Sequence, residues 1–150
     1  MGWSHIPGGA IFDSNSNIEV IVIENVNYFA IFKANEICLV PSIIEGTEVL
    51  KKVCSPYYMN TDVLVKEESV LLIEPGVEIR ISEGMNLIVN GAIIAEGDLE
   101  NEIILGGLKD QEAWGAINLL NTSDTSIFNF VTIRHASKGV IPTLDKGALS

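Results

Sequence analysis

SVLLIEPGVEIRISEGMNLIVNGAIIAEG, residues 69–97, holds two consecutive copies of one short β pattern. Leu71 and Ile73 alternate with other residues, Glu74-Pro75-Gly76 makes a corner, and Val77, Ile79 and Ile81 alternate again. In the second copy Leu87 and Val89 lead to an Asn90-Gly91 corner, and Ile93 and Ala95 follow. Laid over each other, Ile73 falls on Val89 and Gly76 on Gly91, a repeat of about 15 to 16 residues. Two parallel strands joined through a helix need a dozen or more residues in the connection alone, so that unit does not fit. The Asn/Cys ladder of leucine-rich repeats is missing as well. A chain that winds strand, corner, strand, corner and returns above its previous turn does fit.

Strand alternation then assigns the two faces. Leu71, Ile73, Val77, Ile79 and Ile81 are expected inside, with Leu72, Glu78 and Arg80 outside. Upstream, Val63 and Val65 form a strand and Lys66-Glu67-Glu68 a charged corner. Downstream, a polar run at 98–102 leads to Ile103-Ile104-Leu105, and 106–113 is a polar insertion off the column. Trp114 and Gly115 restart the column, with Ile117 and Leu119 inward. Residues 121–125 read as a loop, and 127–133 carries the last clear strands.

Residues 1–54 are β-rich but poorly patterned. Residues 8–12 are a short apolar run after a glycine turn, and 18–23 and 28–32 read as strands rich in β-branched and aromatic residues. Residues 33–39 read as a short helix or a strand, and 48–53 as another strand. The expected division is an irregular β-rich cap or early coils over 1–54, and regular coils over 55–150. The chain stops at Gly147-Ala148-Leu149-Ser150 in mid-repeat, so the expectation is a fragment cut from a longer protein.

The run SPYYMNTDVLVKEESVLLIEPGVEIRISEGMNLIVNGAIIAEG (55–97) resembles the parallel β-helix domains of the pectin-lyase-like fold. Ala113-Trp114-Gly115-Ala116-Ile117, and Ile127 to Ala136, look like their next coils. The resemblance covers residues 55–141 and is nearest to non-catalytic modules of large secreted or surface bacterial proteins. It implies an all-β fold, a right-handed single-stranded parallel β-helix (a solenoid). It also implies an extracellular or cell-surface location and a surface for polysaccharide or protein contact, or a rigid spacer. The alternative is part of a polysaccharide lyase or glycoside hydrolase whose active site lies outside this chain. Many functions share this scaffold, so the fold alone selects none of them.

Composition is consistent with that fold. Of 150 residues, 47% are hydrophobic, as expected of a continuous apolar column. A net charge of −11 argues against nucleic acid as a partner, because phosphate backbones call for clustered Lys and Arg. The apolar run 18–32 is interrupted by Glu19, Glu24, Asn25 and Asn27, and is shorter than the ~20 residues of a membrane span. No membrane insertion is expected. Met1-Gly2-Trp3-Ser4-His5 lacks the basic start of a signal peptide, so export would depend on a signal upstream. The two cysteines, Cys38 and Cys54, are 16 positions apart; a bridge and two buried thiols both remain open.

Residues able to carry chemistry are few. Trp114, Tyr57 and Tyr58 are the aromatics to test for sugar stacking; against this, Trp114 also reads as a packed residue closing the column. Glu96, Asp98, Glu100 and Glu102 are the candidate calcium contacts, with a solvated charged loop as the alternative. No other cofactor is expected. Glu78 and Asp124 complete the pool of carboxylates for acid–base work, yet no basic residue is placed to abstract a proton. His135 has no second ligand or orienting carboxylate at a readable spacing, and His5 carries no more weight. Exposed coil ends would favour end-to-end self-association, since unpaired strand edges recruit other strands.

Overall fold

A computed structural model describes residues 2–4, 29–31, 37–109, 112–120, 125–137 and 149. The chain divides into two compact units, Met1–Glu36 and Ile37–Ser150. In the first, β1 (Gly2–Ser4) pairs antiparallel with β2 (Phe29–Ile31), Trp3 lying opposite Ala30. β2 falls within the strand expected at 28–32. The apolar run at 8–12, the strand expected at 18–23, residues 33–36, most of the 121–125 loop and nearly all of the terminal partial repeat lie outside the described residues.

The second unit is a parallel β-solenoid of about 4 turns. Each turn contributes one strand to each of three parallel sheets. The first turn supplies β3 (Cys38–Leu39), β4 (Ile43–Ile44) and β5 (Thr47–Leu50), and the second β6 (Tyr57–Met59), β7 (Val63–Val65) and β8 (Val70–Ile73). The third supplies β9 (Glu78–Ile81), β10 (Leu87–Val89) and β11 (Ala92–Glu96). The fourth supplies β12 (Ile103–Gly107), β13 (Ile117–Leu119) and β14 (Ile127–Asn129), and β15 (Val131–Ile133) begins a fifth. The sheets run β3-β6-β9-β12-β15, β4-β7-β10-β13 and β5-β8-β11-β14. The turns therefore begin at Cys38, ahead of the Ser55 at which the sequence pattern becomes regular.

The column is real, but its period is longer than the sequence reading. Ile73 stacks on Ala95 and Val89 on Val65, so Ile73 and Val89 belong to different sheets. Side chains that bridge adjacent turns show the true rise. Ser82 Oγ reaches Asn60 Oδ1 across 22 residues, and the Asn86 N–H reaches Asp62 Oδ1 across 24. The misreading has a physical origin in the corners. Gly76 turns between the β8 and β9 sheets at φ +77°, where a Cβ is strained. Gly91 turns between β10 and β11 for another reason: a Cβ there would stand 2.1 Å from the Ser69 carbonyl oxygen. Two glycines serving different corners look alike in sequence.

Inward positions follow the alternation. Leu71, Val77, Ile81, Val63, Val65, Val89, Ile93 and Ile103 are fully buried, and Ile73 and Ile79 nearly so. Leu72, Glu78 and Arg80 are only half-buried, as expected of outward side chains. Each fully buried aliphatic contributes about 1.5–3 kcal/mol. That gain is offset by backbone entropy, so a turn is stable only when stacked on others. Cys38 and Cys54 form a disulfide, their Cα atoms 5.9 Å apart. Cys38 starts β3 and Cys54 ends a 3-10 turn (Lys52–Cys54) that precedes β6, so the bridge closes the first turn on itself. Cys38 stacks on Tyr57 rather than on Cys54.

Leu71→Ala empties a fully buried position and is expected to cost 2–5 kcal/mol, read from urea unfolding. Leu99→Ala, at a side chain 88% exposed, is expected to change stability by less than about 0.5 kcal/mol. Replacing both cysteines by serine removes a covalent loop and is expected to cost about 2–4 kcal/mol by the same measurement.

Candidate functional site

The outer face of the β3-β6-β9-β12-β15 sheet gathers the polar chemistry of the solenoid. Register places Leu39, Tyr58, Arg80 and Gly106 in one outward row, each on the rung above the last. Arg134 continues it: β15 pairs with β12 as far as Ile133 on Leu105, and the Arg134 N–H then donates to the Leu105 carbonyl at 2.8 Å. A parallel outward row carries Glu78, Ile104 and Thr132. Rungs of a sheet are ~4.8 Å apart, so the Tyr58 to Arg134 row is a rigid ruler about 15 Å long.

At the end of this row nearest the first turn lies a surface cleft of about 280 Å³. Leu39, Val40 and Pro41 form its apolar side, Tyr58 one wall, and Ser42, Asn60 and Thr61 the polar rim. Arg80 on the next rung donates from Nε to Glu78 Oε1 at 2.9 Å. That carboxylate raises the guanidinium's affinity for its proton, and Tyr58 adds to the effect. The cleft thus has an aromatic wall beside a permanent, oriented cation. Glu102 accepts a hydrogen bond from Thr132 Oγ1 of the parallel row.

Of the three aromatics singled out in sequence, Tyr58 is the one that faces outward, half-buried. Trp114 is completely buried, so its indole has no face to offer a sugar. Its Nε1–H donates to the Arg134 carbonyl at 2.7 Å, and its backbone N–H donates to the His135 carbonyl at 3.2 Å. Ser137 Oγ donates to the Trp114 carbonyl at 2.8 Å. Trp114 therefore clamps the chain that leaves β15, where His135 sits at φ +57°. Tyr57 is 8% exposed, and its hydroxyl accepts the Lys51 N–H at 2.8 Å. It belongs to the inner wall because strand alternation turns it opposite to Tyr58.

The four candidate calcium contacts do not converge. Among the described residues no group of three or more His, Cys, Asp or Glu side chains is placed to hold a metal ion. Asp98 Oδ1 is instead spent on its own turn, accepting the Glu100 N–H, the Asn101 N–H and the Asn101 side-chain amide at 2.8 to 3.0 Å. Glu96 and Glu100 are exposed, and Glu102 is bound to Thr132. The Glu100 N–H, followed by the Asn101 amide, holds the Asp98 carboxyl below its ordinary value.

Sequence reading placed Arg80 outward but missed its partnership with Gly106 and Arg134. The signal was present, since the chain has only two arginines. Aligning them takes the true length of a turn, which the corner glycines obscure. No protein-family model, curated protein or solved structure matches the chain.

Asp98 titrates at a lower pH folded than unfolded. Its contribution to stability is therefore present above the unfolded value of roughly 3.9 and is lost as pH falls through the folded one. Asp98→Ala is expected to melt below the wild type at neutral pH, with the difference closing in acid. A gap that persists at the lowest pH would show that the hydrogen bonds of the turn do not depend on the carboxylate.

Proposed function

We propose that the chain is a non-catalytic β-solenoid module of a secreted or cell-surface protein, and that it binds polysaccharide on the outer face of the β3-β6-β9-β12-β15 sheet. The observation that carries this reading is the Tyr58 cleft: an apolar pocket with one outward-facing, half-buried aromatic wall and a rim of Ser42, Asn60 and Thr61. Binding sites are typically concave and mostly apolar, with a few placed polar groups. A sugar ring has the matching character, a C–H face for the tyrosine and hydroxyls for the rim. The row of outward positions, one per turn, favours a polymer over a small ligand, because it extends along the sheet in regular steps. The Cys38–Cys54 disulfide supports an oxidising compartment, which is where such bonds persist.

A glycan array followed by titration calorimetry tests the reading. Tyr58→Ala is expected to weaken binding of the retained glycan roughly tenfold, in line with the loss of an aromatic contact. Its melting temperature is expected to stay near the wild type, because Tyr58 faces outward. Release of unsaturated product on incubation with polygalacturonate would replace this reading by an enzymatic one. Retention of full affinity by Tyr58→Ala would move the site elsewhere.

A further inference from the structure

Both arginines of the chain, Arg80 and Arg134, stand on this one face, and the residue between them in the row is a glycine. Gly106 pairs with Arg80 on one side. On the other side the nearest atom that a Cβ on Gly106 would meet is the Arg134 Cβ, at 3.9 Å. Among the described residues beyond its chain neighbours, nothing else comes within 4 Å of that position. A glycine in a strand interior is costly, since it forfeits packing and loses more backbone entropy than other residues. At Gly91 and Gly107 close backbone contacts explain the glycine, whereas at Gly106 a side chain would fit. The result is a notch one rung wide, with an arginine on the neighbouring strand, about 4.8 Å away backbone to backbone, on either side.

We propose that this notch binds a tetrahedral oxyanion ester, a sulfate or phosphate, carried by the polysaccharide that stacks on Tyr58. The inference rests on that polysaccharide reading and specifies its ligand. Guanidinium groups are planar forks that pair with oxyanions through two parallel hydrogen bonds. A carboxylate's two oxygens are satisfied by one fork, whereas a monoester's three terminal oxygens leave one for a second arginine. Arg80 commits Nε and Nη2 to Glu78, which fixes the plane of its guanidinium and leaves Nη1 unbonded to that carboxylate. Among the described residues no carboxylate lies within ion-pair distance of Arg134. The Trp114 indole, bonded to the Arg134 carbonyl, fixes the backbone from which that arginine projects. The chain's net charge of −11 does not oppose this local arrangement. Charges farther away than the Debye length of about 8 Å are screened at physiological salt. The acidic surface elsewhere restricts a polyanion to the one face where both arginines stand.

Matched sets of one oligosaccharide in neutral, sulfated, phosphorylated and uronate form, with polyglutamate as a polypeptide control, provide the test. The intact chain is expected to bind the sulfated or the phosphorylated form at least about tenfold more tightly than the neutral parent. Which of the two wins identifies the ester. Arg80→Gln, Arg134→Gln and Gly106→Val are each expected to remove that preference, read as the ratio of esterified to neutral affinity in the same variant. Gly106→Val is also expected to melt no lower than the wild type, so its loss of binding is not a loss of fold. Binding of neutral and esterified forms alike, unmoved by the three variants, would overturn the notch and leave the Tyr58 reading intact. Binding of no glycan at all would overturn both. Uronates bound as tightly as the esters, or polyglutamate bound in their place, would overturn the ligand class.

Discussion

The molecule depends on one constraint: every turn must return to the same register beneath the turn before it. Backbone N–H and C=O groups of a middle strand are satisfied only by the strands on the neighbouring turns, as when β8 bonds to β5 on one side and β11 on the other. A slip of one residue would send Leu71 and Ile73 into solvent and bring Leu72 and Glu74 inward, because side chains alternate with a period of two. The aliphatic column and the backbone ladder thus enforce each other. Once register is fixed inside, it is fixed outside as well. The row Tyr58, Arg80, Gly106 and Arg134 is a by-product of the same ladder that stacks Tyr57, Ile79, Leu105 and Ile133 within it.

Polar residues tie the turns together where the column is interrupted. Asn86 is fully buried and links three turns: its N–H donates to Asp62, its amide to the Gly84 carbonyl, and its carbonyl accepts the Ala116 N–H. Ser69, also buried, donates its hydroxyl to the Glu67 carbonyl and accepts the Gly46 N–H. Such groups are buried without penalty only because they are hydrogen-bonded. They lie at corners, where a strand ladder cannot satisfy the backbone. Trp114 does the same work for the chain leaving β15.

The inside of this protein was legible in its sequence and the outside much less so. Alternation correctly sorted Leu71, Ile73, Val77, Ile79 and Ile81 from Leu72, Glu78 and Arg80, because burial on one face of a strand leaves a period-two signature. The length of a turn was not legible. Three sheets need three corners, and corners of different geometry all select glycine or small polar residues, so Gly76 and Gly91 passed for equivalents. The site suffered from the same error. Tyr57 and Tyr58 look identical in a list of aromatics, yet one lines the core and the other faces solvent. Trp114 read both as a ligand platform and as a packed residue closing the column, and its complete burial agrees with the second. Gly106 was invisible for the opposite reason: an absent side chain leaves no signal until its neighbours are known.

The corners differ in length from one turn to the next, and this has a consequence for how the fold can vary. The link from β9 to β10 is the five residues from Ser82 to Asn86, while the same corner one turn on, from β12 to β13, runs from Leu108 to Ala116. Both deliver the next strand to its proper rung. Insertions and deletions at these points are therefore absorbed locally, and the column does not register them. A solenoid of this kind separates two evolutionary tasks. Its strands are held to a narrow vocabulary by packing, while its connections are free to be lengthened, trimmed or exchanged, so new specificities can be drafted around an unchanged axle.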